Sequence, residues 1–174
     1  TAFNTYDLKA GAIRYKAGMA LAAPADADVT GNWSPVFELP VVAIQNAVLP
    51  TGKILMWDSV NDLPADSNDV HNMTRAIEWD PATGVATRYD VPNFNLFCAG
   101  FAALPDGRLF VAGGNLNRIA DGLDKLHIFD PFNNSWNLLG TMSEGGRWYP
   151  SVTALSNGEM LITGGGPITP EVYN

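Results

Sequence analysis

The chain repeats itself, and the repeat period decides what it can fold into. Three stretches align without gaps: VAIQNAVLPTGKILMWDS from Val42, FCAGFAALPDGRLFVAGG from Phe97 and WYPSVTALSNGEMLITGG from Trp148. Each is an apolar run, a turn with glycine in it, and a second apolar run. Asp-Gly and Asn-Gly between β-type runs signal a hairpin, because both residues tolerate positive φ. Gly52, Gly107 and Gly158 stand 55 and then 51 residues apart. A second marker keeps nearly the same step: Trp79-Asp80-Pro81 returns as Phe129-Asp130-Pro131, 50 residues on.

Within a unit two hairpins follow one another. The glycine-turn hairpin ends in Gly113-Gly114 or Gly164-Gly165. The second hairpin, Ala76 to Tyr89 or Leu126 to Leu139, folds at an Asp-Pro turn. Four short strands every fifty or so residues, with no convincing helix between them, describe a blade of a β-propeller. The double glycine and the aromatic Trp136 after the second turn specify the kelch type. The fold class expected is therefore all-β: about three four-stranded blades of an incomplete kelch β-propeller, seven blades being the full count. An ordinary β-sandwich is the competing reading, but two independent markers sharing one period favour the propeller.

The first unit departs from the pattern, with Asp58-Ser59 where the later units have Gly-Gly and a polar loop from Asp62 to Asn72 behind it. Residues 1–30 read as a linker or peripheral segment, and 31–174 as the first blades, truncated at the C-terminus. Trp33 is a candidate for the outer strand of a blade. Because propellers need four to eight blades to close, the remaining blades are expected from the rest of a longer protein, or else from a second chain. Thr1 in place of Met is compatible with removal of an initiator or leader.

Composition narrows the function. Eighteen acids against ten bases give the 174-residue chain a net charge of −8, which repels phosphate backbones and argues against nucleic acid as a partner. No apolar run approaches the ~20 residues of a membrane span. Cys98 is the single cysteine, so neither an internal disulfide nor a CxxC metal site can form. Gly164-Gly165-Gly166 runs into Pro and a strand, which is no phosphate loop. Asp62, Asp66 and Asp69 share a loop without the spacing of an EF-hand, and read as a solvated acidic loop. His71 lies in that loop and His127 in mid-strand, without other metal ligands at useful spacing, so both read as structural or exposed.

Cys98 lies nine residues before Gly107, and Tyr149 nine before Gly158. They thus hold the same slot in successive units, on the innermost strand of neighbouring blades. Ala43 fills that slot in the first unit, so the repeat itself does not demand the pair. On spacing alone, a lone buried cysteine and a packed strand tyrosine are the better account of the two residues.

The stretches from Asn95 (NLFCAG), Leu104 (LPDGRLFVAGGN) and Gly146 (GRWYPSVTALSNGEMLITGG) resemble the kelch propeller of the galactose oxidase and glyoxal oxidase family. The stretch from Gly31 to Trp57 resembles its opening blade. The resemblance implies a copper radical oxidase that takes two electrons from a primary alcohol or aldehyde and reduces O2 to H2O2. It implies that Cys98 and Tyr149 form a self-processed thioether cofactor carrying a tyrosyl radical, with Tyr149 also a copper ligand. Family members add a second tyrosine and two histidines from later parts of the protein, and nothing in this chain matches them. The chain alone is then inactive, with a small alcohol or aldehyde and O2 as partners of the whole enzyme. Galactose oxidases carry a tryptophan soon after the double glycine, whereas this chain has Gly166-Pro167-Ile168-Thr169. Trp148-Tyr149 is similar to the glyoxal oxidase form and points away from galactose. Trp148 is a candidate to shield the cofactor, although its place on a strand would turn it to the opposite face from Tyr149. Arg147 is a candidate to orient substrate or to pair between blades. Family members are mostly secreted or held at the cell envelope, which sets the expected location. The alternative is a non-catalytic kelch module that binds a glycan or protein, or assembles with copies of itself.

Overall fold

The computed structural model describes residues 12–14 (backbone only), 25–33, 36–58, 73–116 and 121–174. Among these residues it is all-β but for one short helix, α1 (Ala27–Thr30). Strands β1 (Ala12–Arg14), β2 (Gln45–Val48), β3 (Ile54–Asp58), β4 (Met73–Asp80) and β5 (Val85–Arg88) form a first antiparallel sheet in the order β1-β5-β4-β3-β2. The short β6 (Val91–Pro92) pairs with the start of β4. A second sheet runs β10-β9-β8-β7, from β7 (Gly100–Ala103), β8 (Leu109–Ala112), β9 (Lys125–Asp130) and β10 (Ser135–Thr141). The third comprises β11 (Ser151–Ala154), β12 (Met160–Thr163) and β13 (Glu171–Tyr173), with β12 in the middle. Among the described residues the three sheets do not close into a barrel.

Among the described residues the second sheet has the four strands expected of every unit, the first has them as β2 to β5 with strands added, and the third has three. In the first, β1 adds an edge strand within a segment that carries no strand pattern in the sequence. Trp33 lies outside any strand and is 97% exposed, so it does not form the outer strand. The Asp62–Asn72 loop, with Asp62, Asp66, Asp69 and His71, falls outside the described residues, as does most of 1–30.

The turn chemistry is the same in all three units. Leu49, Leu104 and Leu155 donate their N–H to the carbonyls of Lys53, Arg108 and Glu159 at 2.8 Å. The enclosed three-residue loops each end in a glycine at φ 80°, 88° and 92°, a left-handed position that a Cβ disfavours. At the Asp-Pro turns, Asp80 Oδ1 accepts from Ala82 N at 2.8 Å and Asp130 Oδ1 from Phe132 N at 2.9 Å. These Asx turns give the side chain the role of a backbone turn.

The core lies between successive sheets. Trp57, Leu96, Leu109, Val111 and Phe129 pack with Trp136 between the first and second. Phe110, Ile128, Met142, Met160 and Ile162 pack with Tyr173 between the second and third. Trp136, the repeat's aromatic marker, sits edge-on to Trp57 at 6.2 Å and donates Nε1–H to the carbonyl of Tyr89 at 2.7 Å.

Candidate active-site tyrosine and cysteine

Cys98 and Tyr149 are placed by the loops that lead into β7 and β11, not by the strands themselves. Each stops two residues short of its strand, in a turn or bend. Both have left-handed backbones, φ 63° at Cys98 and φ 57° at Tyr149. Such a conformation in a non-glycine residue costs of order 1–3 kcal/mol and persists only where its surroundings enforce it. Here the enforcement is visible. Tyr149 N donates to the carbonyl of Cys98 at 2.9 Å, joining the two loops directly. Trp148 N donates to Gly165 O at 2.6 Å, and Pro150 follows.

The side chains meet as well. Cys98 is buried and Tyr149 is 56% exposed, so a covered thiol lies beside an open phenol. Burial pushes the thiol pKa up, against the opposing effect of the Tyr149 hydroxyl and the Trp148 indole beside it. The Tyr149 phenol is also raised, first by its hydrogen-bonding contact with Cys98, then by the charge of the thiolate and by burial. Both groups are therefore protonated at neutral pH in the absence of a cation. Trp148 does not turn away as a strand neighbour would: the bend brings its ring edge-to-face with Tyr149, centroids 4.7 Å apart. Its Nε1 is buried, on the side of the Cys98 thiol.

Arg147 is fully buried, and its guanidinium faces the protein. It donates to Glu171 Oε2 at 2.9 Å and to the carbonyls of Gly164 (2.7 Å), Pro167 (3.2 Å) and Thr169 (2.6 Å). It serves as an internal ion pair and does not reach toward substrate. His127 is buried against Phe94, with ring centroids 4.9 Å apart and neither ring nitrogen bonded. Burial, with a smaller effect of the Lys125 charge, lowers its pKa to about 4, so it is a neutral structural residue as expected.

The donor set tests the fit to a metal. Among the described residues no three His, Cys, Asp or Glu side chains cluster as a cation site would require. At this place the described residues offer an exposed phenol with a buried thiol beside it, fewer donors than a metal ion needs. The left-handed backbones at Cys98 and Tyr149 had no signal in the sequence. The burial of Arg147 had one: it stands two positions before Tyr149, in the slot where the preceding unit carries Leu96 before Cys98.

Three antiparallel sheets in sequence define an all-β protein whose fold is shared with a solved fungal enzyme. That structure, a fungal alcohol oxidase of the AA5 family in complex with copper, superposes with a TM-score of 0.63 at 24% identity, covering 82% of this chain and 30% of the other. The galactose oxidase of Gibberella zeae is 30% identical over 138 residues, 78% of this chain and 19% of its own length. A WSC domain-containing protein of Arthroderma benhamiae is 34% identical over 107 residues, 54% of this chain and 12% of its own. No protein-family model matches. The chain belongs to the galactose oxidase-like family, and spans about a fifth of that curated relative.

Proposed function

We propose that this chain is the part of a copper radical oxidase that supplies its thioether cofactor, and that its sheets are successive kelch blades of a seven-bladed propeller. The observation that carries the reading is the meeting of Cys98 and Tyr149 through two loops that hold both backbones left-handed. A thioether between Sγ and the ring carbon next to the phenol replaces one S–H and one C–H bond. Two electrons and two protons pass to O2, which leaves as H2O2. Linked in this way, the ring carries an electron-rich sulfur and loses an electron more readily than free tyrosine. Tyr149 is the copper donor this chain contributes, and the metal, when bound, lowers the phenol pKa and accepts one electron. Trp148, edge-on to the ring, covers one side of it from water.

In the whole enzyme the substrate is a primary alcohol or aldehyde. Ile168, fully exposed at the tip of the Gly164–Thr169 loop, offers no aromatic surface for a sugar ring. That favours small aldehydes or simple alcohols over galactose. The remaining ligands come from the rest of the protein, and the location proposed is secreted or at the cell envelope. No helix among the described residues is long and apolar enough to cross a membrane.

The test is a mass measurement. The full-length protein, incubated with copper and air, should lose two hydrogens in a peptide pair containing Cys98 and Tyr149 and migrate faster on a denaturing gel. Cys98→Ser should do neither. A Cys98 thiol that still titrates fully after copper loading would overturn the reading.

A further inference from the structure

The segment that delivers Tyr149 is fastened by more than its neighbours' backbones. Arg147 N donates to Leu123 O at 3.1 Å, and Arg147 O accepts from Gly114 N at 3.1 Å. This close passage is possible only between glycines. A Cβ on Gly113 would strike the Arg147 carbonyl, one on Gly122 the Arg147 nitrogen, and one on Gly146 the Gly122 carbonyl. The double glycine of the repeat thus has a purpose in the second sheet, which is to admit the loop that carries the next unit's reactive residue.

From that fixed backbone the Arg147 side chain reaches back beneath the Gly164–Thr169 loop. Its NH groups bind three of that loop's carbonyls, and Glu171 at the start of β13 balances the charge. Glu171 Oε1 in turn accepts from Ser143 N at 2.7 Å, Ser143 Oγ at 2.9 Å and Glu144 N at 3.2 Å, at the entry to the same Tyr149 loop. The loop before β11 and the loop after β12 are therefore sewn together through one guanidinium and one carboxylate. Gly165 O, on the second loop, takes the Trp148 N–H.

We infer that Arg147, with Glu171, is a positioning residue for cofactor formation: it holds Trp148 and Tyr149 so that the phenol ring faces the Cys98 sulfur. It touches neither the sulfur nor the ring. Its fork of donors meets three carbonyls and a carboxylate that a point-like ammonium cannot satisfy together. This inference rests on the thioether proposed above.

The experiment follows thioether formation in the full-length protein with copper and air, by the two-hydrogen mass loss over time, and amide hydrogen exchange at Tyr149 without copper. Arg147→Lys keeps the charge and loses the fork. At unchanged far-UV circular dichroism it should form the cross-link at least tenfold more slowly, with Tyr149 N–H exchanging at least tenfold faster. Glu171→Gln, which retains Arg147 and one acceptor, should show a smaller slowing of both and serves if Arg147→Lys does not fold. Wild-type rates of cross-linking in both variants overturn the inference. A wild-type protein that never cross-links overturns the proposed function instead. In that case unchanged Tyr149 exchange in the variants overturns the positioning role separately.

Discussion

Leu96 and Arg147 hold the same place in successive repeats, two residues before Cys98 and before Tyr149, and both are fully buried. The seams built around them differ in kind. At the first, between the first and second sheets, side chains satisfy the crossing backbone. Trp57 Nε1 donates to Leu96 O at 3.0 Å, and Leu96 N donates to the Thr74 hydroxyl at 2.7 Å. At the second, the same two backbone groups of Arg147 are met by the main chain of Gly114 and Leu123. The difference begins at one repeat position. Where Gly113 opens the end of β8, the first unit has Asp58, whose buried carboxylate takes two NH groups of Arg75 at 3.0 Å and Val42 N at 2.6 Å. Gly113 leaves room for the Arg147 carbonyl, which a Cβ there would strike, whereas Asp58 turns its carboxylate to Arg75 and Val42 of its own unit. The cysteine loop is thus held at Leu96 by an indole and a hydroxyl, and the tyrosine loop at Arg147 by main chain and a buried charge, although Gly114 passes as close to the Asn95 carbonyl as Gly113 does to that of Arg147.

The largest test of that contrast is removal of the two central side chains. Arg147→Ala strands Glu171 and frees three carbonyls at once. It should cost about 3–5 kcal/mol, the range for breaking a buried pair on one side. Leu96→Ala should cost about 2–4 kcal/mol as an ordinary core truncation. Denaturant midpoints at constant slope compare them directly. Should Arg147→Ala prove the milder, the second seam is held by its backbone alone.

Acid should divide the seams in the order of their titrating groups. His127 packs on Phe94 in the first seam and is neutral when folded, with its pKa lowered to about 4 from 6.5. The unfolded chain binds more protons between those values. The stabilising effect is therefore complete above pH 6.5 and is lost as pH falls toward 4, roughly 3 kcal/mol in all. For Glu171, burial acts to raise the pKa but is outweighed by hydrogen bonds from Arg147, Ser143 and Glu144, and the net shift is downward. Its contribution is present above the ordinary carboxylate range and fades only below it. Melting temperature against pH should thus fall in two stages. His127→Phe should remove the loss between pH 6.5 and 4, and Glu171→Gln should flatten the stage below it. A single stage unaffected by His127→Phe would show that the first seam carries no proton linkage.

A gentler probe is a methyl group. Gly146→Ala drives a Cβ into the Gly122 carbonyl and should cost about 2–3 kcal/mol as overpacking against a backbone that cannot yield. Gly52→Ala, at φ 80° with nothing within 4 Å, meets only conformational strain of about 1 kcal/mol. Equal losses would mean that the glycines of the second seam serve their own dihedrals and not the passage of Arg147.

Much of this architecture was legible in the chain because it rests on local chemistry. The three glycine turns, the Asx turns at Asp80 and Asp130 and the aromatic Trp136 are each dictated by a few adjacent residues, and the repeat supplies independent copies of each. Equivalent slots also brought Cys98 and Tyr149 together correctly. The error was to put them on strands, because the apolar run from Phe97 or Trp148 continues into β7 or β11 without a break in pattern. A left-handed residue that is neither glycine nor asparagine leaves no local mark; it is imposed by partners such as Gly165 and the Cys98 carbonyl, more than a dozen residues away. The same holds for Arg147, whose partner Glu171 is 24 residues on, and for β1, whose three residues gain their order only by pairing with β5.

The smallest expected effect concerns the indole that donates to Leu96 O at the first seam. Trp57 is fully buried, edge-on to Phe101 at 5.0 Å, and Trp57→Phe keeps most of that contact while deleting the donor to Leu96 O. A buried carbonyl left without any donor costs about 1–3 kcal/mol, but Leu96 O also accepts from Ala99 N at 3.2 Å and keeps that bond. We therefore expect about 1 kcal/mol, measured as a shift in denaturant midpoint, with the Leu96 N–H still protected from exchange by Thr74. Tyr149 N–H, bonded to Cys98 O two residues beyond Leu96, should exchange at most slightly faster, because Leu96 stays anchored by Thr74 and Ala99. A loss approaching that of Arg147→Ala, or exchange at Tyr149 as fast as in that variant, would show that the two seams act as one unit.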